Sequence, residues 1–403
     1  MKIIEDLAIL NRDQRAVFLA SVLGWSLDAF DFFLMVFMLG AIAKDFHVAP
    51  AQVSIAISLT LMSRPFGAFF FGWLAEKFGR RPILMIDILL FSALELASAF
   101  APSLPVFLLL RAAFGFAMGG EWGIGASLVM ESIPARSRGT VSGILQEGYP
   151  LGYLLASLVY WLVFDKYGWR GMFIVGVAPA LLVLFIRLYV KESPVWEQTR
   201  KTSPKTNLLG ALARNWKTFF YVILLMTAFN FFSHGTQDLY PHFLQAQHHL
   251  PTGTVGAITV IMNVGAILGG LTFGFWSQRI GRRRAIIIAA LLALPIIPLW
   301  AFSTTPLMLG LGAFLLQVAV QGAWGVIPAH LNELSPPEAR GTFAGFAYQI
   351  GNYFASVNAP IQNGLAQIYG DNYGIAFAIV LACAILAIVL ITAAGPESKD
   401  SVF

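Results

Sequence analysis

The sequence predicts an all-α membrane protein: twelve transmembrane helices arranged as two pseudo-symmetric six-helix bundles. Three observations carry this. Of 403 residues, 58% are hydrophobic and only 12% charged, with mean hydropathy +0.73; a soluble globular domain carries about 25% charged residues. Apolar runs long enough to cross a bilayer recur along the whole length. Two blocks of sequence also repeat in one register. GWLAEKFGRR at Gly72–Arg81 matches GFWSQRIGRR at Gly274–Arg283, and EWGIGASLVMESIPARSRGTVSG at Glu121–Gly143 matches AWGVIPAHLNELSPPEARGTFAG at Ala323–Gly345, both displaced by 202 positions. Two separate matches at one displacement imply structurally equivalent halves.

Taken in order, the spans fall near residues 17–42, 52–76, 82–101, 105–130, 140–164, 170–190, 218–246, 252–276, 284–303, 306–332, 342–366 and 373–394. Alternate loops differ in basic residues. One set holds Lys2, Arg12, Arg15, Lys77, Arg80, Arg81, Arg136, Arg138, Arg279, Arg282, Arg283, Arg284, Arg340 and Lys399; the other holds Lys44, Lys166 and Arg170. By the positive-inside rule both termini face the cytoplasm, in a multi-pass protein of the cytoplasmic membrane. A polar, basic stretch with two prolines, residues 191–217, separates an N-terminal bundle (1–190) from a C-terminal one (218–403).

The net charge of +5 is what cytoplasmic loops supply, so a nucleic-acid partner is not expected. Cys383 is the only cysteine and excludes an internal disulfide framework. No cleavable signal is expected at the N-terminus. No nucleotide-binding or metal-ligating constellation appears, so no cofactor is expected and any work must draw on ion gradients.

Polar side chains inside the spans mark where function lies. In the seventh, AFNFFSHGTQDLYP places Asn230, Ser233, His234, Gln237 and Asp238 at helical offsets that stack them on one face. Five such groups face protein or a water-filled cavity rather than lipid. Arg64 lies eight residues before Gly72, about 12 Å in from the loop. It needs an anion or a carboxylate partner there, and a planar guanidinium suits a carboxylate. Gln349 and Asn352 share a face of the eleventh span, and Asp28 and Asp31 lie one turn apart in the first.

Other buried acids are less informative. Glu121 and Glu147 read equally as cavity-lining or helix-bridging groups, while Asp87 and Glu95 read as structural. Gln317 and Gln321 are expected to face the cavity, and Trp122 and Trp324, repeat-equivalent, to pack.

The Gly72-x-x-x-Glu76-Lys77-x-Gly79-Arg80-Arg81 loop, its counterpart after the eighth span and Arg111-x-x-x-Gly115 together resemble the signatures of the major facilitator superfamily. The resemblance covers nearly the whole chain. It implies two bundles rocking around a central site lined by spans one, four, seven and ten. Loop arginines Arg80, Arg81, Arg138, Arg279, Arg282, Arg283 and Arg340 are then expected to work with Glu76, Glu131 and Glu333 as a cytoplasmic gate. Gln278 stands where an acid is usual, which predicts a weaker second latch.

Within that superfamily, the Asn230–Asp238 segment, Gln349 with Asn352, and Arg64 are similar to features of Jen-type lactate and pyruvate permeases of the sialate:proton symporter group. The resemblance implies proton-coupled symport of a small monocarboxylate, with Arg64, Asn230, His234, Gln237, Gln349 and Asn352 binding it. Asp28 or Asp31 with Arg111 resembles the proton-coupling pair of related sugar symporters, and Asp238 is a second proton-site candidate beside His234. Sialate or another organic acid is the nearest alternative. A substrate-sensing receptor is the alternative from another class, for which the short tail after Gly395 offers no output domain. An enzyme is not expected, and a monomer is.

Overall fold

The structure, a computed structural model, describes residues 2–202, 208–399 and 401. Residues 203–207 of the predicted linker, with Pro204 and Lys205, lie outside the described residues, as do Met1, Asp400, Val402 and Phe403. The described residues are almost wholly helical, without strands. Ten segments among them are long and apolar enough to cross a membrane.

Ten becomes twelve for two physical reasons. The segment Ala135–Tyr189 has 55 residues, whereas one crossing takes about 20. It folds back at Gly168, whose φ of +61° favours a residue without Cβ, and so supplies the fifth and sixth spans. The eleventh runs through Arg340–Ala355 and Asn358–Ile368, interrupted between them. Its polar side chains, Gln349, Asn352, Asn358 and Gln362 among them, lower its hydropathy below that of a lipid-facing helix.

Local chemistry sets the ends of the spans. The first, Arg12–Asp45, opens on a capping box: Asn11 Oδ1 accepts from Gln14 N at 2.9 Å, while Gln14 Oε1 accepts from Asn11 N at 3.0 Å. Thr305 caps the tenth, Pro306–Trp324, and Asn372 the twelfth, Tyr373–Ala394. The second span, Pro50–Phe78, turns directly into the third, Arg80–Ala99, at Gly79, φ +110°. The eighth, Thr252–Ile280, does so into the ninth at Gly281, φ +97°. These two glycines are repeat-equivalent, 202 positions apart.

Outward faces are apolar, as Leu307, Trp161 and Leu188 show at 72–77% exposed, and the charged side chains within spans turn inward. On the side carrying the termini the two bundles meet closely. A Cβ on Gly123 would lie 2.7 Å from Gly345 Cα, and one on Gly274 would lie 2.5 Å from Gly143 Cα. Gly143 and Gly345 are repeat-equivalent, and each meets a glycine of the opposite half.

Polar bonds reinforce it. Arg80 binds Glu76 at 2.6 Å and Glu131 at 3.2 Å, and Arg340 from the other half reaches Glu131 at 3.4 Å. Glu76 Oε1 accepts from Gly341 N at 2.8 Å. In the second half Arg282 pairs with Glu333 at 2.8 Å, and Gln278 Oε1 accepts from Gly139 N at 3.0 Å. Gly139 and Gly341 are repeat-equivalent, so the amide of Gln278 makes the same cross-seam bond as the carboxylate of Glu76. Arg138 adds a bond to the Ser401 carbonyl at 2.6 Å.

Of the arginines expected at this gate, Arg138 and Arg340 bond across the seam, Arg80 and Arg282 pair at it within their own halves, and three turn away from it. Arg81 donates to the Arg187 carbonyl at 2.5 Å and Arg283 to the Thr392 carbonyl at 2.8 Å, each within its own half. Arg279 lies over the Phe275 ring at 4.5 Å. The turns at Gly79 and Gly281 aim the first arginine of each pair inward and leave its neighbour to the helix beside it.

Candidate functional site

Above the seam a narrow cavity of about 40 Å³ lies between the bundles. From the N-terminal half it is lined by Trp25, Phe32, Arg64, Gln146 and Tyr149; from the C-terminal half by Asn230, Ser233, His234, Gln321, Trp324, Tyr348 and Asn352. It shares Phe32, Leu61, Tyr149 and His234 with a wider cavity of about 340 Å³. That one is walled by Tyr153, Gln237, Asp238, Pro241 and Thr259, at the ends of spans away from the termini. The path is therefore open on one side of the membrane and closed by the seam on the other.

Arg64 is 5% exposed and incompletely partnered. Its Nη2 lies 3.6 Å from Asp28 Oδ1 and 2.6 Å from Met118 Sδ. The guanidinium sits 5.2 Å from the Phe32 ring centre, and Nε has no partner among the described residues. A guanidinium offers five N–H donors, so most remain available. The fourth span lies close against the second at this point: a Cβ on Gly119 would overlap the Arg64 carbonyl oxygen. The indole N–H groups of Trp25 and Trp324, also on the wall, have no acceptor among the described residues.

Opposite stands His234. Its Nδ1 lies 3.1 Å from both Asp238 carboxylate oxygens, and Nε2 lies 3.0 Å from Asn352 Oδ1. The ring thus bridges Asp238 of its own helix and Asn352 of the eleventh span. Asn230 lines the cavity while its amide N–H donates to the Met226 carbonyl at 2.8 Å. Gln237 lines the wider cavity and donates to Gln317 Oε1 at 3.1 Å. Gln349 is not on either wall; it is buried and accepts from Asn352 Nδ2 at 3.5 Å, so it orients Asn352 instead of facing a solute.

The first-span pairing differs from expectation. Arg111 is held by Glu95 at 2.6 Å and by Ser98 Oγ at 3.0 Å. The rings of Phe107, Phe114 and Phe173 surround it. It does not bridge to Asp28, which is Arg64's partner, and Glu95 proves to be the fourth-span arginine's counter-ion. The reason is rotational: Arg111 lies on the face of its helix that packs on the third span. Asp31 is fully buried, and neither of its oxygens has a partner among the described residues.

Sequence reasoning missed Trp25, Phe32, Tyr149 and Tyr348 and read Trp324 as packing only. A signal existed for two of them. Trp25 and Phe32 stand three residues before and four after Asp28, hence on its face of the first span.

A polytopic helical protein with a central polar cavity, open to one side and sealed on the other between two equivalent bundles, is a transport protein by construction. Residues 21–240 match the Major Facilitator Superfamily, and residues 205–402 match the family described as Sugar (and other) transporter. The chain belongs to the Major Facilitator Superfamily; it is a multi-pass membrane transporter, not an enzyme.

It is 28% identical to the carboxylic acid transporter protein homolog of Saccharomyces cerevisiae, over 87% of this chain and 61% of that protein. The chain thus spans less than two thirds of the yeast relative's length. It is 27% identical to the sialic acid transporter NanX of Escherichia coli, over 98% of this chain and 96% of that one. Among solved structures, the proton:xylose symporter XylE superposes with a TM-score of 0.80 at 20% identity, covering 96% of this chain and 97% of that one. At that identity the likeness is one of fold alone.

Proposed function

We propose that this chain is a proton-coupled symporter for a small monocarboxylate of the lactate and pyruvate class, working by alternating access in the cytoplasmic membrane. In this reading both termini and the seam face the cytoplasm, and the wider cavity opens outward. The observation that carries it is Arg64: a buried guanidinium with donors to spare, at a cavity whose facing wall is His234, Asn352 and Trp324. A carboxylate fits the guanidinium fork, and the amide and imidazole groups read the hydroxyl or keto oxygen beside it.

Charge balance supplies the coupling. Arg64 with Asp28 is neutral. When an anion takes the guanidinium, Asp28 loses its counter-ion inside the membrane and takes a proton, which restores neutrality. Carrying one negative charge into a cell costs about 2.3 kcal/mol per 100 mV. A bound acid that travels with one proton avoids that cost, so the pH gradient drives uptake. The cross-seam bonds of Glu76, Gln278 and Arg340 are the latch that parts when the site turns inward.

Two relatives support the acid class by their descriptions, one a carboxylic acid and one a sialic acid transporter. Calorimetric titration of the purified protein with lactate, pyruvate and sialate tests this. Lactate or pyruvate is expected to bind and to be displaced by the other, with sialate ineffective; tight sialate binding with no heat from lactate would reassign the substrate.

A further inference from the structure

Glu147 has no part in the mechanism above. It stands where the fifth span is interrupted, between the helices Arg138–Gln146 and Gly148–Val175. It is 3% exposed, and neither carboxyl oxygen has a hydrogen-bond partner among the described residues. Its carboxyl lies against Gly270 of the eighth span, so closely that a Cβ there would overlap Oε1. The Gln321 carbonyl of the tenth span lies 3.4 Å from that same Cβ position, and Gly325 packs on Gly270 as well. None of these elements brings a charged or titratable side chain to it; burial is the only influence acting on the group. Its neighbour Gln146 lines the narrow cavity, which puts Glu147 between the floor of the site and the glycine seam of Gly143, Gly270 and Gly274.

We infer that Glu147 is a conformation-gated proton site. While the seam is closed, the carboxyl has neither donor nor counter-ion, and the neutral acid is the form the surroundings tolerate. Its faces are a glycine and a backbone carbonyl, the latter able to accept from an O–H but not to support a carboxylate. The seam must part for a solute to leave on the terminal side. The eighth span, carrying Gly270 and Gly274, then withdraws from Gly143 and Glu147, water reaches the carboxyl, and it releases its proton to that side. Closure restores the dry contact and requires the proton back. The repeat gives a control: the equivalent position in the second half is Gln349, an amide that cannot titrate, so of these two positions only the first-half one can carry a switchable charge. The inference rests on the rocking of the two bundles, and deepens the symport reading by adding a second proton site to Asp28.

Infrared difference spectroscopy of the full-length protein in lipid at neutral pH tests it without needing the substrate. Wild type minus Glu147→Gln is expected to show a carbonyl band of a protonated carboxyl. Repeating the pair in a Gly143→Trp background, which wedges the seam open, is expected to lose that band and replace it by the carboxylate pair. Absence of the protonated band in the first comparison, or its persistence with the wedge, overturns the inference. If Glu147→Gln does not assemble, Glu147→Asp retains a carboxyl and is expected to shift the same band. An absent band in a wild type that still accumulates lactate down an imposed pH gradient would remove Glu147 and leave the symport reading. A wedge-sensitive band in a protein indifferent to that gradient would sustain the inference and remove the symport reading.

Discussion

At the scale of single residues, Arg64 is the group on which anion binding depends in this proposal. Its counter-ion Asp28 is at 3.6 Å, longer than a tight ion pair, and the remaining contacts are a thioether and a ring face. Such a group binds a passing carboxylate because its own pairing is incomplete. Arg64→Gln removes the charge while keeping an amide of similar reach. One charged hydrogen bond is worth about 1.5–3 kcal/mol, which converts to a loss of about 10- to 100-fold in affinity. Titration of lactate into the variant measures it, and unchanged affinity would mean that Arg64 is only structural. Much of this was legible in the sequence, because a charge at that depth has few destinations. The partner was not. Asp28, Asp31, Glu95 and Arg111 all lie in spans, and which acid meets which arginine depends on helix rotation, which periodicity does not supply. Glu95 and Ser98, three apart on one face, held a hint: an acid and a hydroxyl together in an apolar span require a partner.

At the scale of elements, the repeat explains more than either half alone. The two inter-span turns at Gly79 and Gly281 are each held by a carboxylate from a segment that follows its bundle. Glu192 accepts from the backbone N–H groups of Arg80 and Arg81, and Glu397 from those of Arg282 and Arg283. They differ in electrostatics. Burial lifts the Glu192 carboxyl above its ordinary value despite its hydrogen bonds. At Glu397 burial also pushes upward, but the backbone N–H groups of Lys399, Arg282 and Arg283 outweigh it and leave the group below its ordinary value.

The sign follows directly. A lowered carboxyl contributes stability that is present above its unfolded value and lost as pH falls through the folded one. A raised one takes its proton earlier on acidification and gives up its acceptor role sooner. Amide hydrogen exchange along a falling pH series is therefore expected to lose protection at Arg80 and Arg81 before Arg282 and Arg283; simultaneous loss, or the reverse order, would contradict it. The sequence showed the turns through their glycines and arginines. It did not show these caps, because the two Glu–Ser pairs, Glu192–Ser193 and Glu397–Ser398, lie 205 positions apart and fall outside the 202-residue register.

At the scale of the whole molecule, the structure has one side sealed and one open, and the seal is built from glycine contacts and from cross-bundle bonds that the repeat duplicates. A symmetric seam suits a machine with two states, since each half supplies the same latch to the other. The departure at Gln278, which predicted a weaker second latch, changes the charge but not the geometry: its amide oxygen meets Gly139 N at 3.0 Å as Glu76 meets Gly341 N at 2.8 Å. Twelve spans were readable from hydropathy and repeat. The course of the cavity was not, because the aromatic groups that narrow it, Trp25, Tyr149 and Tyr348, look like any other apolar-span aromatics until the helices are in place.

Central to this reading is that an organic anion and a proton bind together, the anion at Arg64 and the proton at Asp28, and leave the site neutral. Uptake of labelled lactate into proteoliposomes under an imposed inside-alkaline gradient tests it most directly, with wild type and Asp28→Asn side by side. Wild type is expected to concentrate lactate and to release it when the gradient collapses, whereas Asp28→Asn exchanges lactate across the membrane without accumulating it. Wild-type uptake indifferent to the gradient, or equal accumulation by Asp28→Asn, would contradict it.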